Sequence, residues 1–389
     1  MSKKKILFVS HDASRTGAPL VLLHFLKWLK QNTDIAFVIL LKRGGELQSE
    51  FEALAPTYIY SFPYQPIIGL KGKIIANWNT YIGIPSYYNK LRRIISQHSI
   101  GLIYANSVGN GHILNFLSDL KCPVITHIHE LAYGIYANGE ENLKYVLKYT
   151  NHYIAVSKAV QNNLLASYTI PEINISLVYE FVPNQTTTDI TNNKLRSSLG
   201  IPEDAFIVGT SGTMDLRKGF DLFITLANIV HQKADKKDIY FIWIGGNLDN
   251  GHYEIVKMDA EKTGIKPFIR IPGAQKNPLD FFVMFDVFVL LSREDPFPLV
   301  CLENALLQKP IICFENGGGM PELVENDCGF VVPYLDINSI ADKILYLKQN
   351  PAIKHTLGKN AQEKVSQRYE LSICAPQIVD IIKKAGFPY

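Results

Sequence analysis

The fold of this chain is indicated most clearly by the stretch Arg293-Glu294-Asp295-Pro296-Phe297-Pro298-Leu299-Val300-Cys301-Leu302-Glu303-Asn304-Ala305. The apolar, β-branched run at 287–291 lies before it and predicts a strand. The acidic, proline-containing part predicts a loop, and leucines at helical spacing predict a helix over 299–308. A strand, a loop and a helix in this order are the repeating unit of a parallel sheet that is covered by helices.

A second unit of the same kind follows along the chain. The run 311–314 predicts a strand, and Gly317-Gly318-Gly319 predicts a loop before a helix that starts near Pro321. Helix N-termini attract phosphates because their first N–H groups are unpaired and the helix dipole is positive there. The two units bring carboxylates, a glycine loop and two helix N-termini to one sheet edge. This combination predicts a nucleotide-sugar site.

Short apolar runs alternate with helical patterns along both halves of the chain. The polar stretch 184–194, rich in Thr and Asn, interrupts this rhythm, and we expect the linker between domains at 183–193. The sequence predicts an α/β fold of two doubly wound domains, 1–183 and 184–370, that face a central cleft. The helix 371–389 is expected to close the second domain or to pack back on the first. The predicted strands are 5–9, 35–41, 100–104, 124–128 and 153–156, then 206–210, 239–244, 268–271, 287–291 and 311–314.

The composition is that of an ordinary globular protein. The 389 residues suffice for two or three domains, and a net charge of +3 gives no indication of nucleic acid binding. The five cysteines are scattered without a CxxC pair, which predicts no zinc ribbon and no disulfide framework and suits a reducing compartment. The apolar run after the basic start is too short for a signal peptide, and no run reaches the about 20 apolar residues of a membrane span. We expect a cytoplasmic protein that does not cross a membrane.

Two adjacent cations mark the start of the second half. Arg217 and Lys218 follow the predicted strand 206–210 and precede Gly219 at the start of a helix. A guanidinium fork beside a lysine point charge suits a diphosphate and would stabilise the charge that grows on a leaving nucleoside diphosphate. The alternative is a solvated basic turn. The position between a strand and a helix favours the binding site.

Carboxylates and glycines supply the rest of the predicted donor site. Glu303 lies next to the buried face of its helix, where a carboxylate can accept both hydroxyls of a ribose. Asp295 lies in the preceding loop, and its neighbour Glu294 competes for the same role. Gly318 and Gly319 would offer free backbone N–H groups where side chains would block a ligand. Solvated acids and a plain strand-to-helix turn are the alternatives.

The first half offers a loop and a histidine. Thr16-Gly17-Ala18, after the first strand, would let the backbone approach a phosphate or a sugar. Strand alternation puts His127 and His129 on one side, with His129 nearer the cleft. No third ligand stands at useful spacing, so we predict no metal site. His129 is then either a structural histidine or a residue of the active site.

These segments together resemble family 4 of the retaining glycosyltransferases, which have the GT-B fold of two Rossmann-like domains. The family's Glu-x7-Glu motif is similar to Asp295-x7-Glu303 in this chain. Its basic pair before glycine is similar to Arg217-Lys218-Gly219, and its Gly-Gly-x-x-Glu loop is similar to 318–322. The resemblance covers nearly the whole chain and is strongest over 209–333.

The resemblance implies a role for each candidate residue. Arg217 and Lys218 would hold the diphosphate, and Glu303 would hold the ribose. His129 and Asp295 would contact the donor sugar; the family usually has glutamate at the latter position, which keeps Glu294 as an alternative. The implied catalytic residues are His129, Arg217, Lys218 and Asp295. The implied donor-binding residues are Gly17, Gly212, Arg217, Lys218, Glu294, Asp295, Phe297, Pro298, Leu299, Val300, Glu303, Gly318 and Gly319.

The resemblance also implies an activity. We expect retaining transfer of a hexosyl or other glycosyl group from a UDP- or GDP-linked sugar to a glycan or lipid-linked acceptor, in the biosynthesis of a cell-surface polysaccharide. The front-face attack attributed to this family requires no carboxylate nucleophile, no metal and no other cofactor. The alternatives are a GT-B nucleotide-sugar 2-epimerase and a non-catalytic scaffold protein that binds a sugar nucleotide.

The segment 64–98 mixes aromatic, apolar and basic residues and contains no acidic ones. Such a segment suits an anionic membrane surface or a lipid-linked acceptor. It suits equally a helix that covers the sheet and has a solvated basic face. Peripheral binding to the inner face of a membrane is therefore one of two interpretations.

Overall fold

The computed structural model describes residues 3–62, 83–183 and 193–387, which form two compact units. The first unit consists of the described residues of Met1–Val156, Val160–Val178 and Cys374–Tyr389. The second consists of those of Ser157–Ala159 and Tyr179–Ile373. The division after Val178 lies before the expected boundary at 183, and the C-terminal residues from Cys374 are part of the first unit.

A parallel sheet of seven strands forms the centre of the first unit. The strands are β1 (Lys5–Ser10), β2 (Phe37–Leu41), β3 (Thr57–Ile59), β4 (Ile100–Asn106), β5 (Val124–Ile128), β6 (His152–Ala155) and β7 (Ile175–Leu177). Their order is β3-β2-β1-β4-β5-β6-β7, so β1 and β4 are central neighbours. Because the order reverses between β1 and β4, their carboxyl ends lie at the switch point where such sheets bind ligands.

Helices bury apolar side chains against this sheet. Phe25 of the helix Gly17–Asn32 contacts the ring of Phe8, which also contacts Phe37 and Tyr104. These aromatic rings form the centre of the first core. The described α-helices before residue 179 are Gly17–Asn32, Gln48–Leu54, Ile84–Ser96, Gly111–Phe116, Ala132–Ala137, Glu140–Tyr149 and Lys158–Ser167.

A parallel sheet of six strands forms the centre of the second unit. The strands are β8 (Phe206–Ser211), β9 (Ile239–Ile244), β10 (Ile269–Gly273), β11 (Val287–Leu290), β12 (Ile311–Phe314) and β13 (Gly329–Val332). Their order is β10-β9-β8-β11-β12-β13, with the reversal between β8 and β11. The carboxyl ends of these two strands carry the loops that contain Lys218 and Asp295.

The second core is also aromatic at its centre. Trp243 of β9 is fully buried and contacts the rings of Phe220 and Phe223 on the helix Phe220–Lys233. The described α-helices after residue 192 are Asn193–Ser198, Phe220–Lys233, Gly251–Lys262, Leu279–Phe282, Leu299–Leu306, Pro321–Val324, Ile337–Gln349, Pro351–Arg368 and Leu371–Lys384. No helix in the described part of the chain is long and apolar enough to cross a bilayer.

The predicted strands and the observed ones agree in the interior of each sheet. Each predicted run overlaps a strand, and the predicted helix at 299–308 is confirmed, although it ends at Leu306. Three strands were not predicted: β3, β7 and β13. All three lie at sheet edges. β3 and β7 have three residues each, so they lack the long apolar run that identifies a strand buried on both faces, whereas β13 is as long as β11 and β12, at four residues.

Candidate functional site

The loop after β8 presents the two predicted cations of the second unit. Asp215 Oδ1 accepts the N–H of Lys218 at 2.9 Å, and the indole of Trp243 donates to the carbonyl of Gly212 at 3.1 Å. Gly219 ends the loop with φ +75, and a Cβ atom there would lie 2.1 Å from the carbonyl oxygen of Leu291. Only glycine fits this position, so the loop conformation is fixed at both ends.

Arg217 and Lys218 both contact the loop after β11. The Arg217 guanidinium donates to the carbonyl of Glu294 at 2.9 Å. Lys218 Nζ lies 2.6 Å from Asp295 Oδ2, and the two side chains are 15% and 6% exposed. The same carboxylate oxygen accepts the hydroxyl of Ser292 at 3.0 Å. Because both side chains are largely buried, solvent screens the attraction between them little.

This pairing bears on the choice between Asp295 and Glu294. The Asp295 carboxylate is directed at Lys218, whereas the contact of Glu294 with Arg217 uses its backbone carbonyl. Asp295 is therefore the acid that pairs with Lys218. The contact of either acid with a sugar stays a prediction.

The glycine loop packs tightly against the loop after β11. A Cβ atom on Gly318, where φ is +124, would lie 1.8 Å from the carbonyl oxygen of Asp295, and one on Gly319 would lie 2.2 Å from that of Pro296. The N–H of Gly319 donates to both carbonyl groups at 3.1 Å. The prediction of a free N–H at Gly319 is therefore wrong. The glycines allow two loops to approach each other, and this approach fixes Asp295.

Glu303 lies in the helix Leu299–Leu306, which Pro298 precedes and whose apolar side chains Leu299 and Leu302 are buried. Its carboxyl is half-buried, and burial raises its pKa to about 7. Among the residues that the structure describes, none donates a hydrogen bond or an opposite charge to it. A partly buried carboxylate without a protein donor is suited to accept hydroxyl groups of a ligand.

Glu322 has a structural role that the sequence patterns missed. Its carboxylate accepts the N–H groups of Lys158 and Ala159 at 3.0 and 2.9 Å. It also accepts a hydrogen bond from Tyr179, whose pKa is raised mainly by burial and then by this contact. The rings of Tyr179, Phe297 and Tyr369 contact one another. Glu322 thus supports the segment that follows Asp295, and its separation of more than 160 residues from Lys158 hides this from sequence patterns.

The glycine at the start of the first long helix faces open space. A Cβ atom on Gly17 would have no atom within 4 Å, so no packing within the described residues requires glycine there. Thr16 precedes the helix Gly17–Asn32 and makes no side-chain cap hydrogen bond. The room at Gly17 fits the predicted approach of a ligand to the backbone.

His129 lies directly after β5 in the first unit, beside His127 as alternation predicted. The two imidazole rings are 4.2 Å apart. His127 is buried and accepts or donates a 2.7 Å hydrogen bond with Tyr104; burial and then the charge of His129 hold its pKa well below the usual value. His129 is less buried, and its Nε2 contacts Asn106. His127 is therefore a neutral core histidine, whereas His129 is only partly buried, and its contact with a ligand stays a prediction.

Metal ligands do not converge in the part of the chain that is described. Within 3–62, 83–183 and 193–387, no three side chains of the types His, Cys, Asp and Glu form a group that could hold a metal ion. Arg217 and Lys218 place two cations at the carboxyl ends of β8 and β11.

Comparisons with known proteins agree with this arrangement. Residues 16–185 match the model of "Glycosyltransferase Family 4", and residues 191–364 match that of "Glycosyl transferases group 1". The alpha-galactosylglucosyldiacylglycerol synthase of Streptococcus pneumoniae is 29% identical over 181 residues, 43% of this chain and 46% of the relative. The capsular polysaccharide biosynthesis glycosyltransferase CapM of Staphylococcus aureus is 24% identical over 224 residues, 57% and 58% of the two chains. The matched part thus spans about half the length of these curated relatives.

Solved structures are similar along the whole chain. Anabaena Alr3699/HepE in complex with UDP and glucose superposes with a TM-score of 0.80 at 21% identity, covering 98% of this chain and 99% of that one. The sucrose-phosphate synthase of Thermosynechococcus elongatus superposes with a TM-score of 0.73 at 16% identity, covering 98% and 99%. The two family matches leave only 186–190 between them, and each sheet has the strand order of a doubly wound domain. On these grounds the chain belongs to the family 4 glycosyltransferases and has the GT-B fold.

Proposed function

We propose that this protein is a retaining, metal-independent glycosyltransferase. It would move a sugar from a nucleoside diphosphate sugar to a glycan or a lipid-linked acceptor, in the biosynthesis of a polysaccharide or glycolipid. The observation that carries the proposal is the meeting of Arg217, Lys218 and Asp295 at the carboxyl ends of β8 and β11, with Glu303 on the helix that follows.

The two cations would hold the diphosphate. Lys218 Nζ is already bound to Asp295, so a phosphate oxygen competes with a carboxylate for an ammonium group that is held in place. Such a cation would cost little reorganisation when charge develops on the leaving diphosphate, and preorganised groups of this kind are an effective way to stabilise a transition state. Arg217, fixed through the carbonyl of Glu294, would take a second phosphate oxygen.

Glu303 would hold the ribose of the nucleotide. Its carboxylate has no described partner in the protein, and two ribose hydroxyls would satisfy its oxygens. UDP is the first nucleotide to test, because the similar structure of Alr3699/HepE was solved with UDP. GDP stays an alternative, since a likeness at 20% identity concerns the fold.

Transfer with retention would proceed on one face of the sugar. The bond between the anomeric carbon and the diphosphate oxygen breaks, and a bond to the acceptor oxygen forms on the same face. The proton of the acceptor hydroxyl passes to a phosphate oxygen of the leaving group, so no protein nucleophile enters. Lys218 and Arg217 would stabilise the diphosphate, and His129 would contact the sugar.

Thermal shift against UDP, GDP, ADP and their sugar conjugates tests the donor site. We expect one nucleotide to stabilise the protein, equally with magnesium and with EDTA, and the shift to disappear in Arg217→Ala. Lys262→Ala is the matched control, because Lys262 is an exposed cation at the end of the helix Gly251–Lys262. A shift that requires magnesium would contradict metal independence.

Product analysis separates the alternatives. Sugar transfer to an acceptor with the anomeric configuration of the donor supports the proposal. Release of UDP together with an isomerised sugar and no acceptor product would favour the 2-epimerase. Binding without turnover over a broad acceptor panel would favour the scaffold protein.

We also propose that the first unit docks on an anionic membrane surface. Of the segment 64–98, residues 64–82 lie outside the described residues, and 83–98 contain the amphipathic helix Ile84–Ser96. Lys90 and Arg93 are exposed on it, whereas Arg92 forms an ion pair with Asp119 at 2.9 Å and stacks on Phe116. Lys90 and Arg93 are therefore the cations that a lipid surface would meet.

Vesicle co-sedimentation tests the docking. The protein should bind vesicles that contain phosphatidylglycerol and not vesicles of phosphatidylcholine alone, and should lose part of this binding in the variant Lys90→Ala/Arg93→Ala. Lys262→Ala should bind like the unchanged protein. No binding to anionic vesicles at low salt would refute the docking.

A further inference from the structure

Two neighbouring residues at the end of β4 hold two neighbouring residues at the end of β5. Asn106 Oδ1 lies 2.9 Å from His129 Nε2, and the Ser107 hydroxyl donates to the carboxylate of Glu130. Asn106 and Ser107 are 0% and 1% exposed. Nothing in the sequence patterns singles out these two residues, because an Asn-Ser pair after a strand is usually a turn.

The orientation of the Asn106 amide is fixed by a second contact. Asn106 Nδ2 donates to the carbonyl of Ala18 at 2.8 Å. A flipped amide would bring its oxygen against the carbonyl of Ala18, so Oδ1 must face His129. Because Oδ1 is only an acceptor, Nε2 of His129 carries a proton. The Asn106 side chain thereby sets the tautomer of His129. It also connects His129 to the first turn of the helix Gly17–Asn32.

Ser107 fixes the backbone of His129 through Glu130. Besides the Ser107 hydroxyl, the Glu130 carboxylate accepts the N–H groups of His129 at 3.0 Å and of Val108 at 3.3 Å. The Ser107 oxygen also accepts the N–H of Gly109 at 2.9 Å. The loops after β4 and β5 are therefore joined at their first residues. Asn106 contacts the imidazole of His129, and Glu130 contacts its backbone N–H.

Ser107 adopts a strained backbone to make these contacts. Its φ of 132 and ψ of 150 lie in a region that is essentially reserved for glycine. Strain of this kind persists only where the surrounding structure determines the conformation, and it is concentrated at functional sites. A glycine at 107 would remove the strain but would also remove the hydroxyl that holds Glu130.

We propose that Asn106 and Ser107 are positioning residues, which hold the imidazole of His129 in one tautomer and one orientation. Asn106 acts on the ring and Ser107 acts on the backbone through Glu130. The inference rests on the proposed function, in which His129 contacts the sugar. Neither positioning residue is expected to touch the substrate.

A double-mutant cycle tests the action of Asn106 through His129. Asn106→Ala should lower kcat for glycosyl transfer about 10²-fold, the size of effect that a misplaced catalytic group produces, with little change in the KM of the donor. In the background of His129→Ala the same substitution should leave the residual kcat unchanged. An equal loss in both backgrounds, or no loss in the unchanged protein, overturns the proposal.

An activity-independent measurement tests the geometry itself. In protein labelled with ¹⁵N-histidine, the Nε2–H proton of His129 should give a protected signal, identified by its absence in His129→Gln. That signal should disappear from Asn106→Ala while the signals of His127 remain. A retained signal overturns the proposed contact. If the unchanged protein transferred no sugar but showed the signal, the proposed function would fail and the geometry would stand.

The pair Ser107→Gly and Ser107→Ala separates strain from hydrogen bonding. Both substitutions remove the hydroxyl, so both should lower kcat to a similar extent. Only alanine retains the strain, so Ser107→Gly should unfold at the higher temperature of the two. Full activity in the glycine variant would show that the hydroxyl positions nothing, and this measurement does not depend on whether the alanine variant folds.

Discussion

The raised pKa of Glu303 predicts that donor binding tightens with pH. Burial raises this pKa to about 7, and the ribose hydroxyls need the ionised carboxylate as acceptor. Roughly a tenth of the carboxyl groups are ionised at pH 6 and roughly nine tenths at pH 8. Because the apparent affinity scales with the fraction in the binding form, the Kd of the nucleotide sugar should fall by up to about tenfold between these pH values.

Isothermal titration calorimetry measures this effect in two ways. UDP-glucose is the ligand of choice, since its diphosphate has no proton that titrates between pH 6 and 8, unlike the terminal phosphate of UDP. The Kd should fall over this range, and at pH 7 binding should release roughly half a proton, which appears as a dependence of the heat on the ionisation enthalpy of the buffer.

Two variants complete the test. Glu303→Gln cannot ionise, so its Kd should be independent of pH and its binding should release no proton. Glu294→Gln is the matched control, since it removes the neighbouring candidate acid and should retain the pH dependence. A flat profile in the unchanged protein, or the same slope in Glu303→Gln, would refute the role of Glu303 as the ribose acceptor.

Further predictions concern the charge and the packing of the site. Because its pKa is raised, Glu303 adds stability below about pH 4.5, and this stability is lost as pH rises through 7. Relative to Glu303→Gln, the unchanged protein without ligand should lose about 3 kcal/mol of unfolding free energy over that range. Denaturation with urea at several pH values measures this loss. Lys218→Ala should reduce kcat by about two orders of magnitude or more in a UDP-release assay, and kinetics near those of the unchanged protein would contradict its role at the diphosphate. Gly318→Ala should destabilise the protein by about 1–3 kcal/mol or more, because its Cβ atom would overlap the carbonyl of Asp295 at a positive φ, and thermal unfolding would report it. Gly17→Ala should have the opposite pattern of effects. The thermal stability should be unchanged, since the added Cβ atom meets open space, but donor binding should weaken in a titration with UDP-glucose.

Local patterns in the sequence identified the elements that hold each sheet together. Strands such as β8 and β11 are buried on both faces, so they appear as continuous apolar runs whatever surrounds them. The edge strands β3 and β7 have only three residues each, too few to show an apolar run, and their pairing with a neighbouring strand is not recorded in any local pattern. The triple glycine identifies the loop, but its sequence does not show that the N–H of Gly319 is used to join two loops rather than left free.

The sequence by itself determined the class of the protein. Short segments of the chain are enough to identify the alternating strands and helices, the cations 217–218, the acid at 303 and the histidine at 129. The tertiary structure alone decided which side chains meet. Lys218 and Asp295 are 77 residues apart in sequence and 2.6 Å apart in space, because β8 and β11 are neighbours in the sheet although β9 and β10 lie between them in the chain. Asn106 reaches His129 across β4 and β5, which are consecutive in the chain, because the carboxyl ends of these two strands meet at one sheet edge. Contacts of this kind depend on strand order and on the geometry of loops at one sheet edge, and neither is encoded in the spacing of residues along a single segment.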